Sequence, residues 1–429
     1  MNDVQDRVRS GAYDSAFRTL YGREDAAMHR RRWLELLDRH RQRTGDAGPR
    51  LFSAPGRTEL SGNHTDHNRG RVLAAAVQLD TIAAVTRFDD GSPEDRIAEV
   101  VSEGYPPVRV DLSSLDKDPA EEGRTDALLR GIAASIVRRG GRIGGFTAST
   151  TSRVLKGSGL SSSAALEVLV GSIFNELFND GRFDPVELAM MGQEAENTYF
   201  GKPCGLMDQV ACAVGGAVTI DFADPTAPKV EPVAADFADA GYTLAVVDSG
   251  GDHADLTPDY AAVPEEMQAA AAALGTTVLR DAGEEAFIDA IPSIREAAGD
   301  RAVLRALHFF AENDRVEAMV GALKSGDFDA YLKGVRDSGL SSFRFLQNVY
   351  SPRHPQDQAV SLALALTERF LEGEGASRVH GGGFAGTIQV FVPSDRFGAY
   401  KAFIERYFGE GSVVPLSVRP LPVGQVPTD

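Results

Sequence analysis

Residues 155–168, LKGSGLSSSAALEV, set a glycine–serine loop directly against an apolar run that reads as a helix from near Ser162 to about Asn179. Gly157 and Gly159 allow positive φ and a close approach of backbone to ligand. The serines fall where the helix begins, beside unpaired N–H groups and the positive end of the dipole. The hydroxyls of Ser161, Ser162 and Ser163 add donors, or oxygens for a magnesium ion. The spacing is neither GxxxxGK[ST] nor GxGxxG, which excludes two common nucleotide-binding loops. Two readings stay open here, an anion cradle and a plain loop with a serine N-cap.

Upstream, residues 124–139 carry a helical period and 144–154 read as a strand. GRVLAAAVQL (70–79) and TIAAVTRF (81–88) are strand-like, whereas LFSAPGRTEL (51–60) enters a turn-rich segment. The first fifty residues read as helical, with Met28, Trp33, Leu36 and Leu37 as an apolar stripe. Downstream, Pro185 suits the first turn of a helix that reaches about Thr198, and VACAVGGAVTIDF (210–222) reads as a strand. Residues 222–240 mix Pro, Asp and Ala without a period, and predict a boundary between domains 1–221 and 222–429. Beyond it come a strand (YTLAVVDS), helices between about 258 and 372, and a strand–glycine loop–strand at 376–392. A helix and a final strand (SVVPLSVRP) close the chain. Strands and helices without strict alternation predict an α+β fold.

The chain has 429 residues, enough for two closely packed domains. Asp and Glu number 62 against 44 Lys and Arg, for a net charge of −18. Such a surface repels phosphate backbones and anionic membranes, so no nucleic-acid or membrane partner is expected. It repels ATP as well, so a phosphate site has to be made positive locally. The N-terminus lacks the apolar core of a signal peptide, and no stretch approaches the ~18 to 20 apolar residues of a membrane span. The two cysteines, Cys204 and Cys212, make no disulfide framework and no zinc spacing. A cytoplasmic monomer or weak homo-oligomer is the expectation.

A second polar concentration lies at GRTELSGNHTDH (56–67), with Arg57, Glu59, Asn63, His64, Asp66 and His67 in one short stretch. These groups donate and accept as a polyhydroxylated ligand requires. A metal set of His64, Asp66 and His67 is the weaker alternative, because alternation along a strand splits such ligands between faces.

Taken together, these segments resemble the GHMP kinases and, within them, the galactokinase family. APGRTELSGNHTDHNRG (54–70) resembles the sugar signature, KGSGLSSSAALEV (156–168) the phosphate loop, and RVHGGGFAGTIQVFV (378–392) the third, glycine-rich motif. EAENTYFGKPCGLMDQ (194–209) looks like the segment bearing the catalytic aspartate, and HADLTPDY (253–260) is similar to a sugar-contacting segment. The resemblance runs from about residue 50 to 420. It implies that Asp208 is the base at the anomeric hydroxyl, with Arg57 beside it. It implies Asn63, His64, Asp66, Gly205 and Tyr260 on the sugar, and Lys156, Gly157, Ser158, Gly159, Leu160, Ser161, Ser162 and Ser163 around the phosphates. Ser163 and Glu196 match the magnesium partners, ATP is the implied cosubstrate, and Gly381, Gly382 and Gly383 shape the cleft wall. The implied fold pairs an N-terminal domain like ribosomal protein S5 domain 2 with a ferredoxin-like C-terminal domain, the site between them.

The match has departures. The family usually carries Glu at the position of Asn63, Asn at Glu59, Tyr at His67 and Pro at Leu155. A tryptophan it often has near Thr125 is absent. Asp252 stands where a basic residue is common, and Lys156 is the expected substitute for that charge. Related sugar 1-kinases, acting on N-acetylgalactosamine or arabinose, are the nearest alternatives, and a non-catalytic sensor of galactose and ATP is a more distant one.

Overall fold

The computed structural model describes residues 3–22, 24–89, 91–154, 159–251 and 256–428. Leu155, Lys156, Gly157 and Ser158 lie outside the described residues, as do Asp252 and His253. The strands in chain order are β1 (Arg50–Ser61), β2 (Arg71–Arg87), β3 (Ile97–Ser102), β4 (Val108–Asp111), β5 (Phe146–Ser152), β6 (Ala217–Asp221) and β7 (Lys229–Val233). β8 (Tyr242–Asp248), β9 (Ala376–Val379), β10 (Thr387–Pro393), β11 (Val413–Leu416) and the short β12 (Gly424–Gln425) follow. One sheet has the order β12-β1-β2-β5-β3-β4, with β6 joining β2 to β7; the other has the order β11-β8-β10-β9. The architecture is α+β with two sheets, as the sequence predicts.

β2 is a single strand across both apolar stretches read as separate strands, and Val72 to Val85 are all buried. Helices Ala26–Thr44 and Met207–Val214 both pack on it, so it carries no polar–apolar alternation. LFSAPGRTEL is strand rather than turn. Its Pro-Gly pair sits at a bulge between Pro55 and Arg57, where the ladder with β2 shifts register. VACAV is helix rather than strand, because Met207–Val214 ends at Gly215, whose φ is +77°. A short apolar run has no period that separates the two cases.

The N-terminal helices bury Phe17, Tyr21, Trp33, Leu36 and Leu37 against Leu51, Ile82, Ala84 and Val426. Met28, expected in that stripe, is 37% exposed. It precedes Trp33 by five residues, which turns it about 140° around the helix. The second sheet is covered by helices Ala359–Leu371 and Phe397–Phe408 on one face. On the other, Phe328–Ser341 places Tyr331 and Val335 near Phe391. A helical cluster around Val263, Phe287 and Phe309 adjoins it. The chain leaves the first sheet after Val233 and enters the second at Tyr242. After β11 it returns: Val418 bridges Val77, and β12 pairs with β1.

Candidate active site

Arg57 follows the bulge in β1, and its N–H donates to the Leu160 carbonyl at 3.0 Å. Gly56 makes this approach possible, since a Cβ there would lie 2.9 Å from that oxygen. The Arg57 guanidinium is 5% exposed, with Nε and Nη2 each 2.7 Å from Asp208 Oδ1. Its Nη1 donates to the Gly159 carbonyl. One cation thus ties the first strand, the serine loop and the helix Met207–Val214 together.

Asp208 stands in the first turn of that helix, where the dipole favours a carboxylate. Its Oδ2 accepts from the Ser161 hydroxyl. Ser161 has φ 58°, a left-handed conformation unusual for serine, just before helix Ser162–Phe178. Burial opposes a charge on Asp208, but the Arg57 guanidinium and the Ser161 hydroxyl outweigh it and hold the carboxyl below its ordinary range. Arg57 is raised in turn, Asp208 overriding the effect of burial.

Ser161 and Asp208 border a cavity of about 290 Å³, with Arg57 behind them. Ser161, Ser162, Ser163, Lys202 and Asp208 form one side; Tyr260, His380, Gly382 and Gly383 form the other. The two sides touch at Gly159, whose φ is +68° and where a Cβ would fall 2.8 Å from His380 Nδ1. The far wall is pinned to β1: His380 Nε2 lies 3.0 Å from Thr58 Oγ1, and the Gln389 amide donates to Thr58 Oγ1 and the Glu59 carbonyl at 2.7 and 2.9 Å.

Deeper in the first half, Gln209 Nε2 donates to Glu167 Oε2 and Glu196 Oε2, both at 3.0 Å. Glu196 comes from a π-helical turn, Ala195–Phe200, and its Oε1 lies 3.5 Å from Lys202 Nζ. Burial, then the neighbouring Glu196 charge, push Glu167 well above the usual carboxylate range. Ser163 is exposed at the cavity. Among the described residues no three His, Cys, Asp or Glu side chains gather as a metal site. The His64 and His67 rings are 6.1 Å apart, and His64 Nε2 meets the Gly382 carbonyl at 3.0 Å.

The residues expected on the sugar fall into two groups. Tyr260 borders the cavity, donates to the Gly383 carbonyl at 2.9 Å, and is pushed up to about 12, mainly by burial. Asn63, His64, Asp66 and Gly205 do not border it. Asp66 packs on Gly205, where a Cβ would fall 1.7 Å from its Oδ2. Asn63 is 0% exposed: its amide nitrogen donates to the Gly381 carbonyl at 2.7 Å and to Glu59, and its oxygen accepts from Asn348 and Ser342. Sequence reasoning passed over Glu167, Lys202, Gln209 and His380. Glu167 carried a signal, a lone acid in the apolar run that follows the serines; His380 and Lys202 stood inside quoted segments without a role.

Comparison with known proteins identifies the family. Residues 38–87 match the family model described as the galactokinase galactose-binding signature, and 127–216 match the GHMP kinases N terminal domain. A galactokinase of Streptomyces coelicolor is 33% identical over 376 residues, covering 86% of this chain and 92% of that relative. The chain belongs to the galactokinase family. Another galactokinase, from Glaesserella parasuis, is 29% identical and covers 85% of this chain and 90% of its own. Among solved structures, Lactococcus lactis galactokinase complexed with galactose superposes with a TM-score of 0.74 at 24% identity, over 92% of this chain and 98% of that one. A mevalonate kinase superposes with a TM-score of 0.59 at 13% identity, over 87% and 99%. The fold is that of the GHMP kinases, and a galactokinase-family chain is a sugar kinase that moves a phosphoryl group onto a hydroxyl.

Proposed function

We propose that this chain transfers the terminal phosphoryl group of ATP to the anomeric hydroxyl of galactose, giving galactose 1-phosphate and ADP. The observation that supports it most is the meeting of Arg57, Ser161 and Asp208, from three distant segments, beside one cavity that Ser161 and Asp208 line. Transfer of this kind runs through a loose transition state, so positioning and charge neutralisation dominate. Asp208, held ionised, orients the anomeric hydroxyl and accepts its proton late, as the sugar oxygen bonds to phosphorus and the bond to the ADP oxygen breaks. Arg57 keeps Asp208 charged and, from behind the cavity lining, offsets the developing phosphoryl charge.

In this reading Gly159, Leu160, Ser161, Ser162 and Ser163 cradle the phosphates at the helix N-terminus, with Lys156, Gly157 and Ser158 beyond the described residues. Ser163 and Glu196 offer hard oxygen donors of the kind that would hold Mg²⁺. Glu196 would offer Oε1, since its carboxyl is 6% exposed, its Oε2 accepts from Gln209 at 3.0 Å, and Oε1 faces the Lys202 ammonium, 67% exposed, at 3.5 Å. When bound, the ion neutralises phosphate charge. Tyr260 frames the sugar at the cavity. His64, through the Gly382 carbonyl, and the packed pair Asp66 and Gly205 support it from outside the lining, and Asn63 acts through the wall behind it. The proposal includes a division into two units within residues 222–240, after β7 rather than at the expected 221/222, with the tail beyond β11 on the first unit. It also includes work in the cytoplasm, where ATP and sugar phosphates are held.

The test is coupled ADP release across hexoses, pentoses and N-acetylhexosamines, with the phosphorylated carbon read by phosphorus NMR. Galactose is expected to give the highest kcat/KM and an anomeric phosphate. Preference for a pentose or an N-acetylhexosamine would replace galactose as substrate, and absence of nucleotide-dependent turnover would remove the kinase reading.

A further inference from the structure

Behind the glycine-rich wall lies a polar unit shut off from water: Glu59 is 2% exposed, and Asn63, Arg378 and Asn348 are 0% exposed. Arg378 Nη2 donates to Glu59 Oε1. Asn63 Nδ2 reaches both Glu59 oxygens, at 3.0 and 3.3 Å, and the Gly381 carbonyl at 2.7 Å. Asn63 Oδ1 accepts from Asn348 Nδ2 at 2.8 Å and from Ser342 Oγ at 3.3 Å. Asn348 Nδ2 also lies 3.2 Å from the Gly382 carbonyl. Gly381 and Gly383 have φ of +66° and +81°, and a Cβ on Gly383 would fall 2.1 Å from the Asn348 carbonyl. Two buried amides therefore hold a loop whose other face borders the cavity.

We propose that Asn63 is a positioning residue that tethers Gly381 to the Glu59–Arg378 ion pair, fixing the sugar-side wall of the cavity without itself meeting the sugar. This rests on the proposed sugar kinase reading. Both atoms of the amide that form hydrogen bonds are engaged inside the protein, so no free group is left to recognise a hydroxyl. Charge explains why an amide suits position 63. Arg378 is the cation bonded to Glu59, and burial already presses that carboxyl toward its neutral form. A carboxylate at 63 would therefore add a second negative group against Glu59 and the Gly381 carbonyl with no cation of its own. A carboxylate at 63 is expected to be better matched by an amide at 59, because the exchanged pair again sets one carboxylate and one amide beside Arg378. Positions 59 and 63 thus behave as one unit.

Three measurements on the full chain test this. Asn63→Ala is expected to speed hydrogen exchange at residues 381–383 and to raise sugar KM at least about tenfold, with ATP KM unchanged. The KM penalty is expected to be equal for galactose and its monodeoxy analogues. Asn63→Glu is expected to lower Tm by several degrees, and the exchange Glu59→Asn with Asn63→Glu to restore most of that loss. Unchanged exchange at 381–383 overturns the tether. A penalty that vanishes for one deoxy sugar overturns the indirect role, since it marks a direct contact at that hydroxyl. An exchange variant no more stable than Asn63→Glu overturns the coupling. If the wild-type chain turned over no sugar, the kinase reading would fall, while hydrogen exchange and Tm would still judge the tether.

Discussion

At the scale of single residues, the site is built from ionisable groups whose charge is fixed by their surroundings. Asp208 is kept ionised by a buried arginine, whereas His64 is kept neutral: burial, then the neighbouring His67, push it down to about 3. Its Nε2 is then the donor to the Gly382 carbonyl. An unfolded histidine titrates near 6.5. Between those values the unfolded chain binds a proton that the folded one refuses, so stability rises with pH there and is lost on acidification. His40, pushed to about 4 mainly by burial, acts in the same sense. One such histidine contributes a slope of at most about 1.4 kcal/mol per pH unit. His64→Gln keeps an amide donor for Gly382, and is expected to reduce the slope of stability against pH between 4 and 6 while His40 keeps part of it. Urea unfolding at a series of pH values checks this, and an unchanged slope contradicts it.

At the scale of elements, two loops touch where the serine loop meets the β9–β10 turn. Gly159 has no room for a side chain against His380 and adopts positive φ. Gly159→Ala is expected to cost roughly 1 kcal/mol or more from backbone strain alone, and to lower kcat further by shifting Ser161. Calorimetry and steady-state kinetics measure the two effects; a variant of wild-type kcat would show that the contact is incidental. Most elements were legible. The helix after the serines showed itself as an apolar run behind a Gly/Ser loop, and Pro185 marked the next helix, whose N-cap Asp184 and Glu187 form a capping box. The misreadings share a cause. Pro55-Gly56 looks like a turn because a bulge uses the same residues, and VACAV is too short to show a period. β3, β4 and β7 went unseen: they are short, and Glu99, Arg109 and Glu231 interrupt their apolar pattern.

At the scale of the molecule, what sequence could not give was contact between distant segments. The quoted motifs named Arg57, Ser161 and Asp208, yet nothing in their spacing shows that they touch, and nothing in it shows that Asn63 is enclosed by protein. The same holds for the tail. Arg419 reaches Ser53 Oγ at 2.6 Å and Asp80 Oδ2 at 3.5 Å, while Arg32 meets Asp80 Oδ1 at 2.5 Å and Tyr21 donates to Oδ2 at 3.0 Å. One carboxylate, 0% exposed, thus joins the N-terminal helices, the first sheet and the C-terminal tail. Asp80→Asn leaves the buried Arg419 and the mostly enclosed Arg32 without their anion, and is expected to destabilise by about 3–5 kcal/mol. Differential scanning calorimetry reads it as a drop in Tm; a wild-type Tm would mean that Asp80 holds nothing together.

The central claim is that Asp208, set by Arg57 and Ser161, serves the transfer of a phosphoryl group to a sugar. Turnover of ATP and galactose by Asp208→Asn, beside the wild-type chain, tests it most directly. With folding verified by circular dichroism, kcat is expected to fall by about 10²–10⁴ with little change in sugar KM. A folded variant with near-normal kcat would contradict the account.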